Sequence, residues 1–175
     1  MSEPPLRLVV FDCDGTLVDS QHTILAAMTA AWRVLGLPDP DPEAVRRIVG
    51  LPLEVSIARL VPDQPQAGVA RLADAYRHAF FELHARPDLD EPLFPGALEA
   101  LEALDAAGIL LGVATGKGRR GLEATLGRHG LTGRFATLQT GDRARGKPDP
   151  EMLLNAMAET GAGATHTVMV GDTAY

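Results

Sequence analysis

The chain has 175 residues, of which 46% are hydrophobic, and a formal net charge of −7 at neutral pH. This length and composition predict one well-buried core with a small second module, and they argue against a disordered chain. The negative charge disfavours a nucleic-acid surface, since phosphate backbones are normally bound by a broad positive field. The apolar run from Leu8 to Phe11 is too short for a signal peptide or membrane span, and the single cysteine rules out an internal disulfide. We therefore expect a cytoplasmic protein.

The N-terminal segment predicts the first strand. The apolar run from Leu6 to Phe11 is short, branched and nearly continuous, which is typical of a strand buried on both faces of a parallel sheet. Asp12, Asp14 and Gly15 follow directly, so the strand ends at Phe11. The residues after it belong to the edge of the sheet where open α/β folds bind their ligands.

Residues 19–92 predict a helical insert without a convincing strand. Ser20 can be the N-cap of a first helix that runs to about Leu35. Alternatively, it belongs to a flexible segment that joins this helical insert to the sheet domain. Gly36 can end that helix. Apolar residues at helical spacing continue at 43–49, 53–60 and 66–84. We expect residues 19–92 to form an all-α cap domain, and 1–18 with 93–175 to form the α/β core domain.

The second half of the chain alternates between the two kinds of element. Apolar runs that predict strands are separated by segments with helical spacing of apolar residues. This alternation predicts a doubly wound, Rossmann-like parallel sheet. The predicted strands lie at 109–114, 135–139 and 167–170, and the predicted helices at 96–107, 119–129 and 150–160.

Asp12 and Asp14 are the first candidates for chemistry. Alternation along an extended backbone points both carboxylates to the same side, where they can share a metal ion or divide one reaction between them. Gly15 permits the turn that follows. Two acids before a glycine can equally be ordinary turn residues, so the pair alone leaves both interpretations open.

Three further strand ends carry polar groups suited to one phosphate and one divalent cation. Thr115 follows the second strand and offers a hydroxyl together with the backbone N–H groups after it, beginning with that of Gly116. Lys147 comes just after a glycine beyond the third strand, and Asp172 ends the fourth. Because the carboxyl ends of parallel strands meet at one edge, this joint placement favours a functional site over unrelated surface residues.

These motifs resemble those of the haloacid dehalogenase superfamily, and in particular its helical-capped phosphatases of the phosphoglycolate phosphatase type. The resemblance implies that Asp12 is the nucleophile and Asp14 the general acid and base. It also implies phosphate binding by Thr115, Gly116 and Lys147, and Mg²⁺ binding by Asp12, Asp14 and Asp172. The matching elements are Val9-Val-Phe-Asp-Cys-Asp-Gly-Thr-Leu-Val-Asp-Ser20, Val-Ala-Thr115-Gly-Lys, Gly-Lys147-Pro-Asp-Pro and Val-Gly-Asp172, in the family's order.

The charges of the predicted site support the magnesium expectation independently. Like charges about 4 Å apart repel by roughly 4 kcal/mol at an effective dielectric of 20, so three carboxylates and a phosphate dianion need a cation to share a site. Mg²⁺ suits an all-oxygen site with few carboxylates and a phosphate ligand. Lys147 adds the remaining positive charge.

We therefore expect magnesium-dependent hydrolysis of a small soluble phosphomonoester through an aspartyl-phosphate, with phosphoglycolate as the first candidate substrate. Asp14 favours phosphoester chemistry over dehalogenation, because a departing halide needs no proton. A sugar-phosphate mutase of the same superfamily remains an alternative, as does a non-catalytic protein that keeps the fold. We expect a monomer or homodimer with no nucleic-acid or membrane partner.

The glycine-rich loop after the second predicted strand offers a different interpretation. Gly116-x-Gly118-x-x-Gly121 has the letters of a dinucleotide-binding loop, and Asp142 lies at about the distance expected of a ribose-binding acid. This pattern would indicate an NAD-binding oxidoreductase. It leaves Asp12, Asp14 and Asp172 without a role, and a dinucleotide loop normally follows the first strand of its unit.

Further expectations follow from the resemblance. Gly50-Leu-Pro-Leu53 resembles the loop by which caps of this family contact substrate, although it can also be a helix–helix turn. Lys117 adds to the positive field near the phosphate. The chain ends at Tyr175, one residue before the position of a second acid usual in the family. We expect the last helix and fifth strand of the core domain to be missing, and with them part of the metal site.

Overall fold

A parallel sheet of four strands forms the centre of the protein in the computed structural model, which describes residues 6–173. The spatial order is β3-β2-β1-β4, and every neighbouring pair is parallel. The first strand starts at Leu8 instead of the predicted Leu6, whose side chain is exposed. The strands are β1 (Leu8–Phe11), β2 (Leu110–Thr115), β3 (Thr137–Thr140) and β4 (Thr167–Val170).

Helices cover both faces of this sheet, as a doubly wound fold requires. Side chains alternate along β1, so that Leu8 and Val10 pack on one face and Phe11 on the other. The Phe11 face is covered by α5 (Ala97–Ala106) and α6 (Arg119–Arg128), and the Val10 face by α7 (Glu151–Thr160). The predicted α/β fold is confirmed.

Four helices occupy the interval that was predicted to be helical. Gly36 follows the first of them with a positive φ of 69°, a conformation that glycine adopts without strain. The four helices pack around their own buried cluster, which includes Met28, Trp32, Ile57 and Leu72. Among residues 6–173, no helix is both long and apolar enough to cross a membrane. The helices are α1 (Gln21–Val34), α2 (Pro42–Ile48), α3 (Leu53–Leu60) and α4 (Gln66–His84).

Two connecting segments, one leaving the sheet domain and one returning to it, lie side by side. Val18 and Leu93 form an antiparallel bridge. The Asp19 N–H donates to the Pro92 carbonyl at 2.9 Å, and the Phe94 N–H donates to the Leu17 carbonyl at 3.0 Å. Because the two connections hold each other, they fix where the four helices emerge from the sheet.

Candidate active site

The sheet register brings the predicted motifs to one edge. Phe11 is paired with Val113 on one side and with Val170 on the other, so the residues that follow these three strands are neighbours. The Asp12 N–H continues the ladder by donating to the Val170 carbonyl at 2.9 Å. The loops after β1, β2 and β4 therefore share one edge of the sheet.

Asp12 lies at the centre of this edge and is 1% exposed. One of its carboxylate oxygens accepts the Cys13 N–H at 2.7 Å, and the other pairs with the Lys147 ammonium, which is also buried. Burial raises the pKa of Asp12 to about 6, although the nearby Lys147 charge acts in the opposite direction. The site thus holds a partly desolvated carboxylate beside a fixed cation.

Asp14 is also buried, and it has different partners. The Lys117 ammonium lies 3.0 Å from its carboxylate, and the Ser20 hydroxyl donates to the same carboxylate at 2.5 Å. Asp14 and Lys117 form a second buried ion pair that sequence reasoning did not identify. The one available signal was that the chain's only two lysines each stand beside a glycine after a strand.

Ser20 precedes α1 without capping it. Its hydroxyl makes no hydrogen bond to the helix N-terminus, so the expectation of an N-cap is wrong. The hydroxyl is instead oriented toward the buried Asp14 carboxylate, to which it donates a charge-assisted hydrogen bond, and it accepts no helix N–H. Ser20 therefore links the start of the helical segment to the site.

Thr115 and Gly116 form the end of β2 beside the two aspartates. The Thr115 hydroxyl is buried and accepts the Lys117 N–H at 3.2 Å, so it is already oriented by its own loop. Gly116 lies directly under the helical segment. A Cβ at this position would stand 2.3 Å from the Leu51 carbonyl oxygen, a distance that no side chain could tolerate.

Asp172 approaches the first loop from β4. Its carboxylate accepts the Thr16 hydroxyl at 3.3 Å, and its N–H donates to the same hydroxyl at 3.1 Å. A Cβ at Gly15 would lie 2.4 Å from an Asp172 carboxylate oxygen, so the glycine permits this approach. The turn residue predicted from sequence is thus needed for the contact between the two loops.

The predicted magnesium ligands are neighbours but do not form a ready cluster. Within the described part of the chain, no three acidic, histidine or cysteine side chains are grouped as a metal site would require. Asp12 is turned to Lys147, Asp14 to Lys117, and Asp172 to Thr16, because carboxylates repel each other and each finds a closer donor. The donor set itself, all oxygen and on adjoining loops, fits Mg²⁺.

The loop Gly50–Leu53 covers the site. A Cβ at Gly50 would stand 3.6 Å from an Asp12 carboxylate oxygen and 3.8 Å from the Lys147 ammonium. On the core side, a Cβ at Gly146 would meet the Pro52 ring at 1.9 Å. The helical segment therefore closes tightly on the sheet edge, and glycines of the core provide the space.

The glycine-rich loop 116–121 has two structural roles. It leaves room for the helical segment to approach the sheet edge, and it leads into α6. Asp142 accepts the Arg119 N–H at 3.1 Å and the Thr140 hydroxyl at 2.7 Å, so it caps α6. Burial alone would raise the pKa of Asp142, but hydrogen bonds from Thr140 and Arg119 lower it below the usual value. The residue proposed as a ribose ligand is thus engaged, and the close approach at Gly116 is made by Leu51.

A partly open cavity of about 260 Å³ lies between the helical segment and the sheet edge. Asp14 and Lys117 form part of its wall on the side of the sheet. Aliphatic and aromatic residues of α1, the Gly50–Leu53 loop and α4 form most of the opposite wall, among them Ile24, Met28 and Phe80. The cavity therefore adjoins the site at Asp14.

Comparisons with known proteins agree with this geometry. Residues 9–175 match the family described as haloacid dehalogenase-like hydrolase. The chain is 38% identical over 169 residues to a Dickeya dadantii protein named "Probable phosphatase IndB", covering 96% of the chain and 74% of that protein. It is 31% identical to a phosphoglycolate phosphatase of Agrobacterium fabrum, covering 98% and 74%. A crystal structure of a hydrolase from Pseudomonas syringae superposes with a TM-score of 0.83 at 27% identity, covering 97% and 76%.

The chain belongs to the haloacid dehalogenase-like hydrolases. Within that family, its relatives and its fold make it a phosphatase, a hydrolase of phosphoric monoesters. The predicted family is confirmed, and the oxidoreductase interpretation of the glycine loop is left without support.

Proposed function

We propose that this protein hydrolyses a small phosphomonoester with the help of Mg²⁺, through an aspartyl-phosphate on Asp12. One observation carries the proposal. Asp12 and Asp14 lie buried at the same sheet edge, and each is paired with its own buried lysine, Lys147 or Lys117. Two carboxyl groups at one sheet edge, each held by its own partner, supply the nucleophile and the proton-transferring group that the reaction requires.

The first displacement forms the bond between an Asp12 oxygen and phosphorus while the ester bond to the leaving alcohol breaks. Asp14 gives its proton to the departing oxygen. In the second displacement, water attacks phosphorus, Asp14 takes a proton from it, and the Asp12–phosphorus bond breaks to release phosphate. The nucleophile thus returns to its starting state, and Asp14 is again protonated.

Six residues are available for binding, three for the phosphate and three for the metal. Thr115 offers its hydroxyl, Gly116 its N–H, and Lys147 a buried ammonium next to Asp12. Asp12, Asp14 and Asp172 would hold Mg²⁺, which when bound neutralises charge on the transferring phosphoryl group. Lys147 can then turn from Asp12 to a phosphate oxygen without leaving the site.

The helical segment is proposed to act as a cap. We assign residues 19–92 to it, and residues 1–18 and 93–175 to the catalytic core. The paired connections at Val18 and Leu93 support this division, as does the separate cluster of buried side chains in the helices. The acidic chain, with its one cysteine buried and free, suits a soluble metabolite in the cytoplasm. Phosphoglycolate is the reference substrate because a relative is named for it.

Phosphate release tests the proposal directly. The protein is incubated with phosphoglycolate and with 4-nitrophenyl phosphate, with Mg²⁺ or with excess EDTA. We expect release only with Mg²⁺, and no release by Asp12→Asn, which keeps the shape of the side chain but removes its nucleophilic charge. Asp88→Asn, which alters an exposed ion pair with Arg86, is the matched control. Rapid turnover by Asp12→Asn would exclude the mechanism. In a parallel incubation with glucose 6-phosphate, transfer of the phosphate to another carbon of the sugar would indicate a mutase instead.

A further inference from the structure

The space between cap and core, which we call the leaving-group cavity, has a mainly apolar wall on the side of the cap. Ile24 and Met28 of α1 contribute to it, as do Leu53 at the start of α3 and Phe80 of α4. Their side chains form part of the cap's own apolar clusters, so the wall is fixed by packing. A ligand body placed here would be removed from water against hydrocarbon and aromatic surface.

Every charged group on the wall of the leaving-group cavity already has a partner. Three acidic and three basic residues line the cavity, so the sum of their formal charges is zero. Lys117 is paired with Asp14 at 3.0 Å, and Arg77 is paired with Glu54. The remaining acid, Asp142, caps α6, and the remaining cation, Arg120, stacks over the Phe81 ring at 4.2 Å. To bind a carboxylate on the leaving group, Lys117 or Arg77 would have to leave an acidic partner, whereas Arg120 would bind it from its place over the Phe81 ring.

Few polar groups of the cap remain to hydrogen-bond a polyhydroxylated leaving group. Ser56 lines the cavity, but its hydroxyl donates to the Ile48 carbonyl at 3.1 Å. Tyr76 lines the cavity with an aromatic ring and a single hydroxyl. The hydroxyls of a sugar that face the apolar cap wall would lose water without a matching partner there, which disfavours binding.

We infer that the preferred substrate is the phosphate ester of an uncharged alcohol with an apolar or aromatic body. This inference rests on the proposed phosphatase function and adds the class of leaving group. A volume of about 260 Å³ leaves room for a body larger than glycolate. Burial of apolar surface supplies the selectivity, because hydrocarbon and aromatic side chains form most of the wall on the side of the cap.

The test compares three alkyl phosphates, so that differences in the reactivity of the leaving alcohol stay small. Benzyl phosphate has an apolar body, phosphoglycolate a carboxylate, and glucose 6-phosphate several hydroxyls. We expect kcat/KM for benzyl phosphate to exceed that for each of the other two by about 10- to 100-fold, the range that burial of a few apolar carbons can give. A kcat/KM for phosphoglycolate or glucose 6-phosphate equal to or above that for benzyl phosphate would overturn the inference.

A pair of variants in α3 shows whether the cap wall is responsible. Leu53→Asn places an amide on the cavity wall, whereas Val55→Asn makes the same kind of change at an exposed position on the same helix. We expect Leu53→Asn to lower the ratio of kcat/KM for benzyl phosphate to that for phosphoglycolate at least about fivefold. Val55→Asn should leave the ratio unchanged. An unchanged ratio in Leu53→Asn would also overturn the inference.

A binding measurement separates this inference from the proposed function. If no ester releases phosphate, the proposed hydrolysis fails, and the cavity is then judged by calorimetry on Asp12→Asn with Mg²⁺. Tighter binding of benzyl phosphate than of phosphoglycolate by at least about tenfold would support the apolar specificity. Equal or weaker binding of benzyl phosphate would overturn it.

Discussion

The Lys117 ammonium lies 3.0 Å from the Asp14 carboxylate, and both side chains are at least nine-tenths buried. The same ammonium stands 4.3 Å from the centre of the Phe80 ring in α4. Burial would lower the pKa of Lys117, but the acidic groups around it, with Asp14 the strongest of them, together outweigh burial and raise that pKa above the usual value. One charged lysine therefore compensates the second carboxylate of the site and contacts the cap at the same time.

Lys117→Met keeps the length of the side chain and removes its charge. Breaking a buried ion pair by removing one partner costs about 3–5 kcal/mol, because the other charge is left uncompensated. Displacement of Asp14 should also lower kcat by about 10- to 100-fold, as small errors in the position of a catalytic group do. Urea unfolding and steady-state phosphate release measure the two effects.

The control for this variant is Arg119→Met, two residues further along. Arg119 forms an exposed ion pair with Glu123 on α6, and such pairs contribute only about 0–1 kcal/mol. We expect near-normal stability and kcat from Arg119→Met. Wild-type kcat in Lys117→Met would show that Asp14 needs neither the charge nor the contact with the cap.

Gly116→Ala tests how closely the Gly50–Leu53 loop is seated on the core. The added Cβ would meet the Leu51 carbonyl oxygen at 2.3 Å and the Gly50 carbonyl oxygen at 2.8 Å, and backbone atoms cannot rotate away. The loop must move, so we expect a raised KM, a reduced kcat and a loss of stability of about 1–3 kcal/mol. Steady-state kinetics and thermal unfolding measure these changes.

Gly127→Ala is the matched glycine control. It lies within α6, and the nearest atom to an added Cβ is the Thr132 hydroxyl at 3.8 Å. Alanine is a better helix former, so this variant should be more stable by about 0.5–1 kcal/mol with unchanged kinetics. Equal kinetics for Gly116→Ala and Gly127→Ala would contradict the tight seating of the loop.

The sheet and its edge could be predicted because they depend on local sequence and one topological rule. Apolar runs located the strands to within about two residues, and parallel strands place their carboxyl ends together. Asp12, Thr115 and Asp172 were therefore brought to one edge from sequence alone. Gly15 was correctly assigned to the turn, since it has a positive φ of 82° and lies against Asp172.

The contacts between cap and core could not be predicted in this way. They join segments far apart in the chain, such as Lys117 with Phe80, and no spacing in the sequence specifies how closely the segments approach. The same limit explains the error at Ser20. A serine before a helix usually caps it, but here the fold brings Asp14 within 2.5 Å, and the hydroxyl donates to that carboxylate.

Ser20→Ala should therefore act on the site more than on the helix. Removing a hydroxyl that donates to a buried carboxylate lowers the free energy of unfolding by about 1–3 kcal/mol. We also expect a lower kcat, because Asp14 loses one of the groups that hold it in position. Thr23→Val is the control, because the Thr23 hydroxyl is buried with no hydrogen-bond partner among the residues the structure describes. That change should be neutral or stabilising. Comparable losses in both variants would mean that the Ser20 hydrogen bond contributes nothing specific.

His129 should make the stability of the protein depend on pH. His129 follows the last residue of α6 as its C-cap. Burial lowers the pKa of His129; the Glu91 charge opposes this shift, and the Arg128 charge adds to it. Glu91 is itself buried, with a carboxylate oxygen 3.1 Å from the His84 ring nitrogen. Because the folded state disfavours the charged imidazole, the contribution of His129 is fully present above its unfolded pKa of about 6.5 and is lost as the pH falls through the lowered value.

The measurement is the midpoint of thermal unfolding between about pH 5.5 and about 7.5 for the wild-type protein and for His129→Gln. Glutamine does not titrate, so the wild-type midpoint should fall more steeply on acidification than that of the variant. Using the difference between the two proteins removes contributions from other groups, including Asp12, whose raised pKa acts with the opposite sign. A constant difference between wild type and His129→Gln across this range would show that His129 titrates alike in the folded and unfolded chains.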